Sequence, residues 1–139
     1  MPPKTLLSDT NPLCPCGSQK SLGNCCLPFI EGKSTAATAE QLMRSRYSAH
    51  TLLAIDYLWD TWSPEQRLRS SQADIRAWAE SCEWLGLQIL ATEQGQVSDN
   101  QGIVEFIALY RQNGKLQQHH EVSQFKKVLG KWLYVDHQP

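Results

Sequence analysis

The sequence predicts an α+β fold: N-terminal helices packed on a curved antiparallel sheet, with a small cysteine-rich segment in front. Three observations carry that reading. Apolar residues recur at helical spacing between residues 38 and 82, and from residue 84 short apolar runs broken by turn residues take over. The helices come first and the strands follow, an order that favours an antiparallel sheet with helices on one face. Four of the five cysteines fall within residues 14–26. A chain of 139 residues suits one modest domain plus a small appendage. We divide it into residues 1–33, the cysteine-rich segment and its linker, and residues 34–139, the α+β domain.

The first element is "CPCGSQKSLGNCC". Cys14 and Cys16 stand one residue apart and Cys25 and Cys26 are adjacent. Gly17 and Gly23 let the backbone curl so that the two pairs meet, and Pro15 stiffens the first pair. Four thiolates form a closed tetrahedral set for zinc and leave no open position, which suits a structural role. The segment is too short to bury a core. The metal would supply its folding free energy, on the order of 10 kcal/mol. The competing reading is two disulfides in a secreted protein. The N-terminal stretch "MPPKTLLSDTNP" has one Lys and no long apolar core, so it is a poor signal peptide. Zinc and a cytoplasmic location are therefore expected. No apolar run approaches the length of a membrane span.

Residues 27–37 read as a linker. A helix should start at Thr38, because Thr38-x-x-Gln41 is a capping-box pattern and Ala39, Leu42, Met43 and Tyr47 follow at helical spacing. A second helical stretch carries Leu52, Ile55, Leu58, Trp59 and Trp62. Ser63-Pro64 then starts a short turn, with proline at its first helical position. A further helix begins near Ser71, with Ile75, Trp78, Ala79 and Cys82 on one face, so Cys82 reads as core.

The strands follow: "WLGLQILATE", the loop "QGQVSDNQG", then "IVEFIALYRQ". Asn113-Gly114 is a two-residue hairpin signal, "KLQQHHEVSQFKKV" is the returning strand, Gly130 turns the chain, and "KWLYVD" is the last strand.

Two resemblances rest on these residues. "CPCGSQKSLGNCC" resembles the SEC-C zinc knuckle found at the C-terminus of the SecA translocation motor. The resemblance implies that Cys14, Cys16, Cys25 and Cys26 are the zinc ligands, with Gly17 and Ser18 in the tight turn. Gln19 stands where the motif usually has Gly, and "SLGN" replaces most of a basic and aromatic stretch. The knuckle followed by "AEQLMRSRYSAH", "DYLWDTW", "VEFIALY", "HHEVSQF" and "GKWLYVD" resembles the YchJ-like bacterial proteins. That second resemblance implies a nuclear transport factor 2-like cone, in which helices and curved sheet enclose a pocket.

Candidate polar residues for such a pocket are Arg44, Arg46, Asp56, Glu105, His119, His120 and Glu121. Arg44 and Arg46 point about 200° apart on a helix, so only one faces inward, and Arg46 shares the sector of Leu42, Met43 and Tyr47. It reads first as a partly buried cation paired with Asp56 or a sheet carboxylate, and second as a ligand contact. Period two puts His119, Glu121, Ser123 and Phe125 on one face, and Glu105 with Ile103, Ile107 and Leu109 on one face. Glu105, Glu121 and Arg46 could form an inward polar network. The alternatives are a satisfied core network or solvent-facing residues. Trp62, Trp78 and Trp84 read as core.

With 13 Lys and Arg against 14 Asp and Glu, the net charge is −1, which argues against broad binding to nucleic acid or anionic membrane. No nucleophile–base set or phosphate loop is visible. The first functional reading is a zinc-binding, non-catalytic module. Its knuckle would dock a protein or ribosomal partner, as the SEC-C resemblance implies, and its body would bind a small ligand. The alternative is a small-molecule enzyme using acid–base residues of the cone pocket without an organic cofactor. A third reading is a homodimer through the sheet.

Overall fold

The computed structural model describes residues 12–137. Residues 1–11, most of the stretch weighed as a signal peptide and part of the first proposed domain, lie outside the described residues, as do 138 and 139.

The chain opens on a turn closed by a bridge between Leu13 and Ser21, followed by a single 3-10 turn at Leu22–Asn24. Helix α1, Leu27–Ile30, falls inside the expected linker. Pro28 presets its first turn, and Phe29 and Ile30 pack against the core, so the segment is anchored. Helix α2 is Ala39–Leu52. Thr38 caps it as expected, accepting from the Gln41 amide at 3.1 Å, while the Gln41 side chain reaches back to the Ala37 amide at 2.7 Å. Helices α3, Ile55–Asp60, and α4, Pro64–Arg67, are short. Helix α5, Gln72–Glu80, is capped by Ser71, which accepts from Asp74 N at 3.1 Å. Cys82 lies past the end of α5 and is half-buried, so it is not part of a core stripe.

Four strands form an antiparallel meander in chain order: β1 Glu83–Gln94, β2 Gln101–Gln112, β3 Lys115–Val128 and β4 Lys131–His137. Asn113 and Gly114 take φ of 54° and 77°, the two left-handed positions of a type I′ hairpin. Leu129 and Gly130 do the same at 52° and 80° between β3 and β4. Register shifts in β1 between Trp84 and Gly86 and between Ile89 and Ala91, and at Gln124/Phe125, bend the sheet. The concave face carries Val104, Phe106, Ala108, Phe125 and Trp132, all buried against Ala39, Leu42, Met43 and Tyr47 of α2. Trp132 also donates its indole N–H to Ala37 O at 3.0 Å, tying β4 to the start of α2. Among the described residues, no helix is long and apolar enough to cross a membrane.

Candidate functional site

Helix α2 stands between two sites. On one side the cysteine segment folds against it and against β1. Cys14 N donates to Lys20 O at 2.8 Å, closing the first turn. Gly17 takes φ +84°, and a Cβ there would also meet Leu87 O at 3.1 Å, so this glycine serves both the turn and the seat on β1. Gln19 adopts φ 70°, a left-handed conformation that a side chain disfavours.

The turn and α1 bring Cys14, Cys16, Cys25 and Cys26 together, with their four sulfurs all within 4.8 Å of one another. Cys16 and Cys25 lie 3.7 Å apart, and Cys25 and Cys26 3.9 Å apart. None is in a disulfide. A tetrahedron of sulfurs held about 2.3 Å from a central ion has edges of about 3.8 Å. The arrangement fits a closed four-thiolate metal site.

Neighbouring groups support the sulfurs, Ser18 from the knuckle itself and Ser48 and Arg44 from the body. Ser48 Oγ lies 3.4 Å from Cys14 Sγ, and Ser18 Oγ 3.1 Å from Cys25 Sγ. Arg44 donates Nη1 to Cys16 O at 2.8 Å, with Cys16 Sγ 3.8 Å away, and is held by Glu40 at 2.9 Å. A guanidinium there offsets thiolate charge. Hydrogen bonds from Cys14 and Cys26 lower the Cys16 thiol well below its ordinary range.

On the other side of α2 lies a cavity of about 340 Å³ between the helices and the concave sheet. Its walls include Trp62, Ile75, Trp78, Trp84, Phe106 and Tyr110. The aromatic rings pack edge to face: Trp78–Trp84 at 6.1 Å, Trp78–Tyr110 at 5.6 Å and Tyr47–Trp84 at 5.8 Å. The tryptophans expected as core therefore form a cavity wall, with Trp78 42% exposed.

The polar groups lining the cavity include Arg46, His50, His119, Glu121, Ser123 and Tyr134, with Ser70 and the exposed Asp74 on the helical side. Glu121 accepts from His119 Nε2 at 2.8 Å, from Tyr134 OH at 2.8 Å and from Ser123 Oγ. Burial alone would raise its pKa, but these three hydrogen bonds overcome burial and hold the carboxyl at about 2. The same contact raises His119. Burial raises the Tyr134 hydroxyl, and Glu121 adds to it. Arg46 donates Nη1 to Leu58 O at 2.8 Å and Thr61 Oγ1 at 2.6 Å, and its guanidinium lies 4.9 Å over the Tyr134 ring. Burial lowers Arg46 to about 10, so it stays charged at neutral pH. His50 is lowered to about 4 by burial and by Arg46, so it is neutral, and its Nδ1–H donates to Arg46 O at 2.8 Å.

Of the seven polar residues proposed from sequence, the structure brings Arg46, His119 and Glu121 to one cavity and places Arg44, Asp56, Glu105 and His120 elsewhere. Glu105 lies on the opposite face of β2, bonded to His120 Nε2 at 2.6 Å, because the face of β2 that α2 covers is Val104, Phe106 and Ala108. Asp56 is exposed and lines a separate surface groove with Arg76; α3 buries only Ile55 and Leu58. Among the described residues, neither pairing expected for Arg46, with Asp56 or with a sheet carboxylate, is made. Arg46 bonds instead to a carbonyl and a hydroxyl. Tyr134, Thr61 and His50 were missed. Tyr134 reaches the site through a bridge with Trp62, a contact with no local sequence signal.

With this geometry in view, the chain resembles known proteins over most of its length. Residues 38–137 match the family described as "YchJ, middle NTF2-like domain". The chain is 49% identical over 124 residues to a UPF0225 protein of Geobacter sulfurreducens, covering 89% of this chain and 77% of that protein. It is 43% identical over 124 residues to a UPF0225 protein of Actinobacillus succinogenes, covering 89% and 80%. The fold matches the solution structure of a SEC-C motif containing protein from Rhodopseudomonas palustris at TM-score 0.82 and 40% identity, covering 90% of this chain and 96% of that chain. A SEC-C motif containing protein from Psychrobacter arcticus matches at TM-score 0.76 and 32% identity, covering 88% and 80%.

Proposed function

The chain belongs to the YchJ-like family, and from that premise we propose that it is a zinc-binding, non-catalytic protein whose cone receives a small ligand. Cys14, Cys16, Cys25 and Cys26 hold the zinc, the ion that four thiolates in a closed tetrahedron favour. Four free thiols suit a reducing compartment, so the proposal places the protein in the cytoplasm. The ion organises the knuckle. The knuckle's exposed outer rim, Leu13, Gln19 and Lys20, docks a protein or ribosome-associated partner.

The observation that carries the receptor reading is a cavity whose half-buried carboxylate, Glu121, is already committed, the other lining carboxylate, Asp74, being exposed on α5. Glu121 accepts three hydrogen bonds and is held at about 2, which makes it a weak proton acceptor and a fixed part of the wall. The aromatic walls bury ligand surface and the polar groups orient it. A fragment screen against the zinc-loaded protein tests this reading. Binders should shift the indole signals of Trp62, Trp78 and Trp84, and a broad screen that leaves all three unmoved would refute it.

One observation favours a second reading, acid–base catalysis. His119 is an imidazole oriented by a carboxylate at the cavity wall. Under that reading, incubation with the wild-type protein converts the ligand and incubation with His119→Gln leaves it intact. Recovery of unchanged ligand from both proteins supports the receptor.

A further inference from the structure

We propose that the cavity takes a small aromatic monocarboxylate, its carboxylate gripped by Arg46; this rests on the receptor reading above. Arg46 is only 8% exposed. Among the described residues no carboxylate oxygen forms an ion pair with it. Its two side-chain hydrogen bonds both use Nη1. Nε and Nη2, the adjacent nitrogens on one edge of the guanidinium, have no protein acceptor among those residues.

That edge is not sealed. Among the described residues, the enclosed side-chain nitrogens and oxygens without a partner are Ser21 Oγ, Trp62 Nε1, Ser63 Oγ and Arg67 Nε, and no Arg46 nitrogen is among them. Arg46 lines the cavity, so the open edge reaches solvent through it. Two parallel N–H donors on one guanidinium edge match the two oxygens of a planar carboxylate.

Three further features select an anion. Glu121 makes no direct ion pair with Arg46, because its oxygens are taken by His119, Ser123 and Tyr134, and its charge acts on Arg46 only through space, so the guanidinium's donors stay available. Leu58, Thr61 and the Tyr134 ring fix the guanidinium in place, so it need not reorganise to bind. A cationic ligand would meet Arg46 as a like charge, and a neutral carbonyl would offer its open edge one uncharged acceptor in place of two charged oxygens. The remainder of the ligand faces Trp78, Trp84 and Tyr110, with Trp84 and Tyr110 centroids 5.4 Å apart, a setting for a flat ring. A volume of about 340 Å³ suits one or two rings.

The test titrates the full zinc-loaded chain with benzoate and 2-naphthoate, then with benzamide, 2-naphthamide and benzylamine, reading the tryptophan indole signals. The carboxylates should bind at least tenfold more tightly than the amides, and benzylamine more weakly than either. Arg46→Gln should abolish the preference while keeping amide binding. Arg46→Lys keeps the charge, loses the planar fork and provides the reading should Arg46→Gln not fold, with a clearly reduced preference expected. Amides or the amine binding as well as the acids would overturn the carboxylate proposal and leave the receptor standing. An undiminished preference in a folded Arg46 variant would overturn the assignment to Arg46. If none of the probes shifts an indole signal, the carboxylate proposal falls, and the broad fragment screen decides the receptor separately.

Discussion

Arg44 and Arg46 sit two residues apart on one helix and serve opposite regions of the molecule. Arg44 turns to the knuckle, where it meets Glu40 and the Cys16 carbonyl. Arg46 turns to the cavity, where it meets Leu58, Thr61 and Tyr134. The two regions are held together by different forces. The body has an apolar core running from Ala36 to Trp132, with sheet and helices closing on it. The knuckle buries little besides Cys14, Cys16 and Cys26 themselves, with Leu22 and Ile30 at its margin. A fold built on apolar burial survives loss of an ion, whereas a turn whose buried centre is four thiols does not. The two still touch, through Gly17 on Leu87, Ser48 on Cys14 and Arg44 on Cys16.

The comparison breaks most visibly from the side of the body. Phe125→Ala, at a fully buried centre of the concave face, should cost about 3–5 kcal/mol and lower the melting temperature of the helices and sheet together. A chemical denaturation curve reports it. The knuckle contributes too few contacts to restore the loss.

Acid should act next, on Glu121 in the body and, by protonating the thiolate ligands, on the knuckle as well, so the body's share is the difference that Glu121→Gln makes. The pKa of Glu121 in the fold is about 2 against an ordinary 4.5, so its contribution is fully present above about pH 4.5 and is lost as pH falls toward 2. The expected loss is on the order of 3 kcal/mol over that window. Glu121→Gln should flatten this part of the stability profile, measured by denaturation at stepped pH. An unchanged acid limb would show that the three hydrogen bonds to Glu121 do not set it.

On the knuckle side, Arg44→Ala removes the cation and the donor to Cys16 O. Metal affinity should fall by about tenfold, roughly 1.4 kcal/mol, in competition with a chromophoric chelator, while the body's melting temperature changes little. The smallest expected effect is a gain. Gln19 stands at φ 70°, and Gln19→Gly relieves that strain at the cost of a more flexible unfolded chain. A net gain of about 0.5 kcal/mol should appear as slightly tighter metal binding, and a weakening would mean that the Gln19 side chain makes its own contribution.

Local chemistry was legible in the sequence wherever a few neighbouring residues decide the outcome. Asn113-Gly114 forms its hairpin because both residues tolerate positive φ, and Thr38 caps α2 because its hydroxyl meets Gln41 N. The period of two placed His119, Glu121 and Ser123 on one face, the one that lines the cavity. What failed needed knowledge of which surface meets which. Both faces of β2 are apolar, Ile103 and Ile107 on one and Val104 and Phe106 on the other, so alternation could not say on which side Glu105 lies. Trp62, Trp78 and Trp84 look alike in sequence whether they fill a core or wall a cavity. Tyr134 joins Arg46 and Glu121 only through pairing of the Trp62 segment with β4.

We propose that an ion organises the knuckle while apolar burial holds the body. Amide spectra of the reduced protein, recorded with metal content before and after a strong chelator, test it most directly. About one equivalent of zinc is expected at the start and, on its removal, loss of dispersed signals from the Cys14–Cys26 turn while signals of α2 and the four strands persist. Collapse of the α2 and strand signals together with the turn, or a turn unchanged without the ion, would contradict it.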